Sequence, residues 1–165
     1  MSAVQRLDPD WAVGTTLDWR ELDGSSRRQT SILLLAHDHN KAKLVDLAIC
    51  YRDILVKHMV IATPTTARLV TEMAGLTPVT LSSGLDGNDV EIVDCLGRVR
   101  MAAVIFLVDP FSRRVHEPRL EPVIEVCARY DIPLATNIAT ASAVLNLVSV
   151  LDAAESLPVG TLQDK

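Results

Sequence analysis

No run of lysines or arginines occurs anywhere in the 165 residues, and the formal net charge is -5. A basic nucleic-acid face is therefore not expected. Cysteine is scarce: Cys50, Cys95 and Cys127 are the three present. Odd in number, widely spaced and each in apolar surroundings, they read as buried free thiols of a reducing compartment rather than as a disulfide framework or a zinc site. No apolar stretch approaches the roughly 18–20 residues that span a bilayer. No basic start followed by an apolar core marks a leader peptide. The expectation is a cytoplasmic chain that touches neither nucleic acid nor membrane. What is abundant is core-forming material. With 48% hydrophobic and 22% charged residues, disorder is not expected and one domain is.

Residues 1–29 carry no sustained periodicity, and Gly24, Ser25, Ser26, Arg27 and Arg28 resemble a linker. This part is expected to be an irregular extension, although Trp11 and Trp19 would be costly to leave in water and should pack on the domain or on another subunit. The domain itself is expected over 30–152, with a tail over 153–165. Within it, short apolar runs without alternation (31–36, 59–63, 78–82, 102–108 and 133–136) predict strands covered on both faces. Between them, apolar residues at three- and four-residue steps predict helices over 44–55, 66–74, 89–97, 121–130 and 139–151. Alternating strands and helices predict right-handed crossovers. The result is an α/β fold, a three-layer α/β/α sandwich with a five-stranded parallel sheet, Rossmann-like in plan.

Ligands of such sheets bind beyond the carboxyl ends of the strands. Those ends here carry His37-Asp38-His39, Thr63-Pro64-Thr65-Thr66, Ser82-Ser83-Gly84, Asp109-Pro110 and Thr136-Asn137. All are polar and small or titratable, so they predict the walls of one pocket. Thr63 to Thr66 can cap a helix, and the same hydroxyls and amides can also bind an anion. Asp89 falls where a helix should start, as a dipole partner or as a functional carboxylate. His37 and His39 are two apart, but no further His or Cys stands at ligand spacing, so no metal site is expected.

The segments "AHDHNK", "ATPTT", "SGLDGND", "FLVDPFSRRVHEP" and "IPLATNIATA" together resemble methylglyoxal synthase, in order and nearly in spacing, over about residues 31–146. The resemblance implies a lyase that turns dihydroxyacetone phosphate into methylglyoxal and inorganic phosphate without metal or organic cofactor, in a homohexamer. It implies Asp89 as the catalytic base, His116 as the main electrophile, and His37 and Asp109 as further catalytic residues. It implies His37, Lys41, Thr63, Thr65, Thr66, Ser83, Gly84 and His116 as the groups that bind substrate and phosphate. A carboxylate that takes a proton next to a carbonyl, with imidazoles steadying the oxygen, is sound chemistry for that reaction.

Several positions depart from the family pattern. Pro64 replaces a glycine and removes one amide donor. Leu85, Asp86 and Asn88 alter the approach to Asp89, and Asp86 adds negative charge near a dianionic substrate. Val108 replaces a tryptophan. Arg119 stands where the family has a second acidic residue, and no arginine follows Arg129. These departures motivate an alternative: a non-catalytic domain that binds a phosphometabolite, similar to the regulatory domain of carbamoyl phosphate synthetase. Another small phosphometabolite lyase or isomerase using the same base is a third possibility.

Overall fold

The computed structural model describes residues 19–21, 29–81, 88–112 and 114–156, with Asn88 described in its backbone alone. Five strands form one all-parallel sheet in the order β3-β2-β1-β4-β5: β1 (Ser31–Ala36), β2 (Met59–Ala62), β3 (Val79–Thr80), β4 (Met101–Leu107) and β5 (Leu134–Ala135). Among the described residues six α-helices accompany it: α1 (Lys41–Cys50), α2 (Arg52–Leu55), α3 (Pro64–Ala74), α4 (Asn88–Arg98), α5 (Leu120–Arg129) and α6 (Ile138–Glu155).

The two-residue alternation of a strand divides β1 and β4 between two cores. Ile32, Leu34, Ala103, Ile105 and Leu107 face the layer of α1, α3 and α6. Leu33, Leu35, Val104 and Phe106 face α4 and α5. Because both faces are covered, all six residues of β1 are buried and no polar alternation survives in its sequence. The strand ends are tied level with one another. Leu35 pairs with Phe106 and Ala36 with Leu107. The His37 amide donates to Leu107 O at 3.1 Å, and the Leu81 amide to Ala62 O at 2.9 Å. The direction of winding reverses between β1 and β4, so a crevice opens where those two strands end.

Trp19 is buried in the second core, in a 3-10 turn spanning Trp19–Glu21. Its indole Nε1 donates to Glu91 Oε1 at 2.9 Å, and the Arg20 guanidinium lies 3.1 Å from the same oxygen. The extension thus packs on the domain at this point; Trp11 lies outside the described residues.

Three expectations need correction. The helix expected over 44–55 is two helices, because Tyr51 leaves the helical region (φ -106, ψ 20) and its amide bonds back to Leu47 O. The third and fifth strands keep only two residues each, Val79–Thr80 and Leu134–Ala135, since edge strands have one neighbour to pair with. Cys50 is exposed on the outer side of α1, while Cys95 and Cys127 are buried. Burial pushes the Cys95 thiol up to about 12, with Glu91 and Asp94 adding to it, and the Cys127 thiol up to about 11. One helix, α6, has 18 residues and the length and composition to cross a membrane, a test that a core helix of a globular protein also passes. Thr140, Ser142, Asn146 and Ser149 interrupt the run in sequence without lowering its average much.

Candidate active site

The centre of the crevice is organised by His37, the residue that follows β1. The Asp109 amide donates to its Nδ1 at 2.9 Å, so Nδ1 is an acceptor. The hydrogen then sits on Nε2, which donates to Pro118 O at 2.9 Å. Phe106 meets the ring edge to face, with centroids 5.1 Å apart. Only 7% of His37 is exposed. The imidazole therefore joins the two ends of the segment between β4 and α5, and both nitrogens are used by main-chain atoms. His37 was expected to touch substrate; in this structure both of its ring nitrogens are bonded to the main chain.

Asp109 ends β4. One of its carboxylate oxygens accepts from the Phe111 amide at 3.0 Å, and the other lies 3.2 Å from His39 Nδ1. Beside it, His39, Asp109, Phe111, Ser112, Arg114 and Glu117 line a cavity of about 310 Å³. Asp38 holds the segment from the β1 side. Its carboxylate pairs with Lys41 Nζ at 2.5 Å and with the Arg114 guanidinium. Its amide donates to Glu117 Oε1 at 2.7 Å, and the Ser112 hydroxyl donates to the other oxygen of Glu117. The Lys41 hydrogen bond, with Arg114, holds the Asp38 carboxyl below its ordinary value of 3.8 despite some burial. Burial raises Glu117, but the Asp38 amide and the Ser112 hydroxyl outweigh it and leave that carboxyl below 4.5. Ser112 and Glu117 were missed by the sequence reading, and Asp38 was read there only as part of the pocket wall that His37-Asp38-His39 forms. The Asp38–Lys41 spacing of three was a visible signal; Glu117 had none.

Asp89 stands in the first turn of α4. Its Oδ1 accepts from the Arg119 amide at 2.9 Å, and its Oδ2 lies 2.7 Å from Arg119 Nε. Arg119 is the N-cap residue of α5, so Asp89 also sits favourably at that helix's positive end. The Asp89 carboxylate pushes the Arg119 guanidinium further up from its ordinary value. Arg119 follows Pro118, whose carbonyl His37 holds, so the base candidate and the imidazole are linked through one peptide unit.

The threonine segment opens α3. Pro64 is at its first position, and Thr63 makes no side-chain cap; its hydroxyl donates to Thr66 Oγ1 at 3.1 Å instead. The capping expected of Thr63 is therefore not made. The first-turn amides of Thr65 and Thr66 precede the first intrahelical bond, which Ala67 donates to Thr63 O. Thr66 is buried and Thr65 exposed. His116 is exposed in a turn and is bonded to none of the described residues. It lies three residues before Arg119, at most about 10 Å of extended chain. Ser83 and Gly84 lie outside the described residues. Among the described residues, no group of three His, Cys, Asp or Glu is arranged to hold a metal.

A family model described as MGS-like domain matches residues 43–136. A methylglyoxal synthase from Lysinibacillus sphaericus (strain C3-41) is 41% identical over 114 residues, covering 69% of this chain and 85% of its own. One from Thermoanaerobacterium thermosaccharolyticum is 41% identical over 123 residues, covering 74% and 90%. The crystal structure of methylglyoxal synthase from Elizabethkingia anophelis NUHP1 matches with a TM-score of 0.65 and 32% identity, over 71% of this chain and 77% of that one.

Proposed function

This chain belongs to the MGS-like domain family of methylglyoxal synthases, and on that footing we propose that it is a lyase converting dihydroxyacetone phosphate to methylglyoxal and inorganic phosphate. One observation supports the reading: His37, Thr63 and Asp109 follow the carboxyl ends of the adjacent strands β1, β2 and β4, and Asp89 is tied to His37 through the Pro118–Arg119 peptide unit.

Asp89 takes a proton from the hydroxymethyl carbon beside the carbonyl. The electron pair left behind moves onto the carbonyl oxygen and forms an enediolate, which His116 steadies with a hydrogen bond. The carbonyl oxygen takes up a proton, and the hydroxyl on the deprotonated carbon loses its hydrogen and becomes the aldehyde carbonyl. The carbon–carbon double bond shifts one position and the bond between the opposite carbon and its phosphate oxygen breaks, so inorganic phosphate leaves with the bonding electrons. The remaining enol gains a proton at carbon and becomes methylglyoxal. Lys41, Thr63, Thr65, Thr66, Ser83 and the Gly84 amide hold the phosphate, with the first turn of α3 contributing its dipole. His37 and Asp109 fix the segment that carries His116. The scheme uses neither a metal nor an organic cofactor. The same resemblance carries a homohexamer.

The test is phosphate release from dihydroxyacetone phosphate by the purified protein. Asp89→Asn should lower the rate by about 10²–10⁴-fold. A wild-type protein that releases nothing above background overturns the reading. Arg119 occupying both oxygens of Asp89 favours a second reading, a domain that binds a phosphometabolite and does not turn it over. A thermal shift with phosphorylated ligands, without triose turnover, would support that one.

A further inference from the structure

The two oxygens of Asp89 are held differently. Oδ1 accepts from a main-chain amide at the start of α5, a fixed donor that orients the carboxylate. Oδ2 is held by the guanidinium of Arg119, at the end of a long side chain that is 71% exposed, while Asp89 is 25% exposed. Among the described residues, Asp89 is the single ion-pair partner of that guanidinium. Oδ2 is thus the oxygen that could accept a proton, and Arg119 covers it. The cover is removable, because an exposed ion pair is worth little in water, about 0–1 kcal/mol. A phosphate headgroup carries twice the charge of one carboxylate and offers a planar guanidinium two parallel hydrogen bonds.

Resting on the lyase reading above, we propose that Arg119 is a specificity-determining residue: it leaves Oδ2 of Asp89 for the phosphate of the incoming substrate, so that the base is uncovered when a phosphorylated ketone is bound. One side chain then does two things. It adds to headgroup affinity, and it keeps the carboxylate masked against an unphosphorylated ketone. The Arg119 amide stays on Oδ1 throughout, so the carboxylate does not lose its orientation when the guanidinium departs.

The experiment compares wild type, Arg119→Gln and Arg119→Lys in three measurements. These are phosphate release from dihydroxyacetone phosphate, deuterium uptake from solvent into unphosphorylated dihydroxyacetone, and calorimetric binding of inorganic phosphate. Loss of one charge-assisted contact should raise the KM of Arg119→Gln for the phosphorylated substrate about tenfold or more, weaken inorganic phosphate similarly, and speed deuterium uptake into dihydroxyacetone. Arg119→Lys should recover part of the phosphate affinity. A surface ion pair with only a structural role would change none of these preferences, and Arg119→Gln matching wild type in KM and phosphate affinity overturns the inference. So does Arg119→Gln exchanging dihydroxyacetone more slowly than wild type. Wild type failing to release phosphate from the triose sinks the lyase reading alone, since the calorimetric arm still decides whether Arg119 takes phosphate.

Discussion

Phe106 shows how much one residue can carry. It is fully buried in the second core, and its ring meets the edge of His37, whose two nitrogens hold Asp109 and Pro118. Truncation leaves a cavity and also removes the lateral support of the imidazole. Phe106→Ala should lower stability by about 3–5 kcal/mol in urea unfolding, and activity should fall further than the loss of folded protein explains. Phe106→Leu keeps most of the apolar volume and should cost less. If the leucine variant matches wild type in activity, the ring contact with His37 is dispensable. His37 itself was legible as a strand-end residue, but its two main-chain bonds were not. An imidazole that bonds to two backbone groups leaves no pattern in the side chains around it.

At the scale of elements, the segment from Asp109 to Arg119 is fastened to the end of β1 by charge as well as by His37. Asp38 pairs with Lys41 and Arg114, and its amide bonds Glu117. Both carboxyls are held below their ordinary values of 3.8 and 4.5. A lowered carboxyl contributes stability that is complete above its unfolded value and is lost as pH falls through the folded one. This fastening should therefore be intact above pH 4.5 and should weaken as the pH drops below about 4. Hydrogen exchange at the Asp38 and Ser112 amides should rise there before exchange in β1 does. Simultaneous rise of both would show that the segment has no separate acid transition. The elements themselves were largely readable: β1 runs from Ser31 to Ala36 as its apolar run suggests, and Gly75 ends α3 in the left-handed region at φ 62. The break at Tyr51 was not readable, because Ile54 and Leu55 continue the helical spacing across it. Nor was the Arg119–Asp89 pair, which joins two helix starts that only the tertiary fold brings side by side.

For the whole molecule, α6 is the element least accounted for within one chain. Ala141, Leu145 and Val148 face the first core. Leu147, Val150 and Leu151 form a second apolar stripe at three- and four-residue spacing that remains exposed, as does Ile138. An apolar stripe left exposed beside a buried one marks an interaction surface. Near the start of α6, Leu47, Cys50, Tyr51 and Ile138 line part of a groove of about 610 Å³ between α1 and α6. These surfaces suit the proposed homohexamer. Sedimentation of the purified protein should give a mass near six chains, and Leu151→Glu should shift it toward smaller species. A wild-type monomer would refute the assembly.

Trp19 also bears on the order in which the molecule is completed. Its hydrogen-bond partner Glu91 comes 72 residues later, so during synthesis the indole emerges long before α4 exists to receive it. β1, α1, β2 and α3 can begin to associate while the tryptophan waits in solvent or against a chaperone. The second core closes late, by recruiting a segment made well before α4, and a nascent chain stalled before residue 91 would carry that aromatic unsheltered.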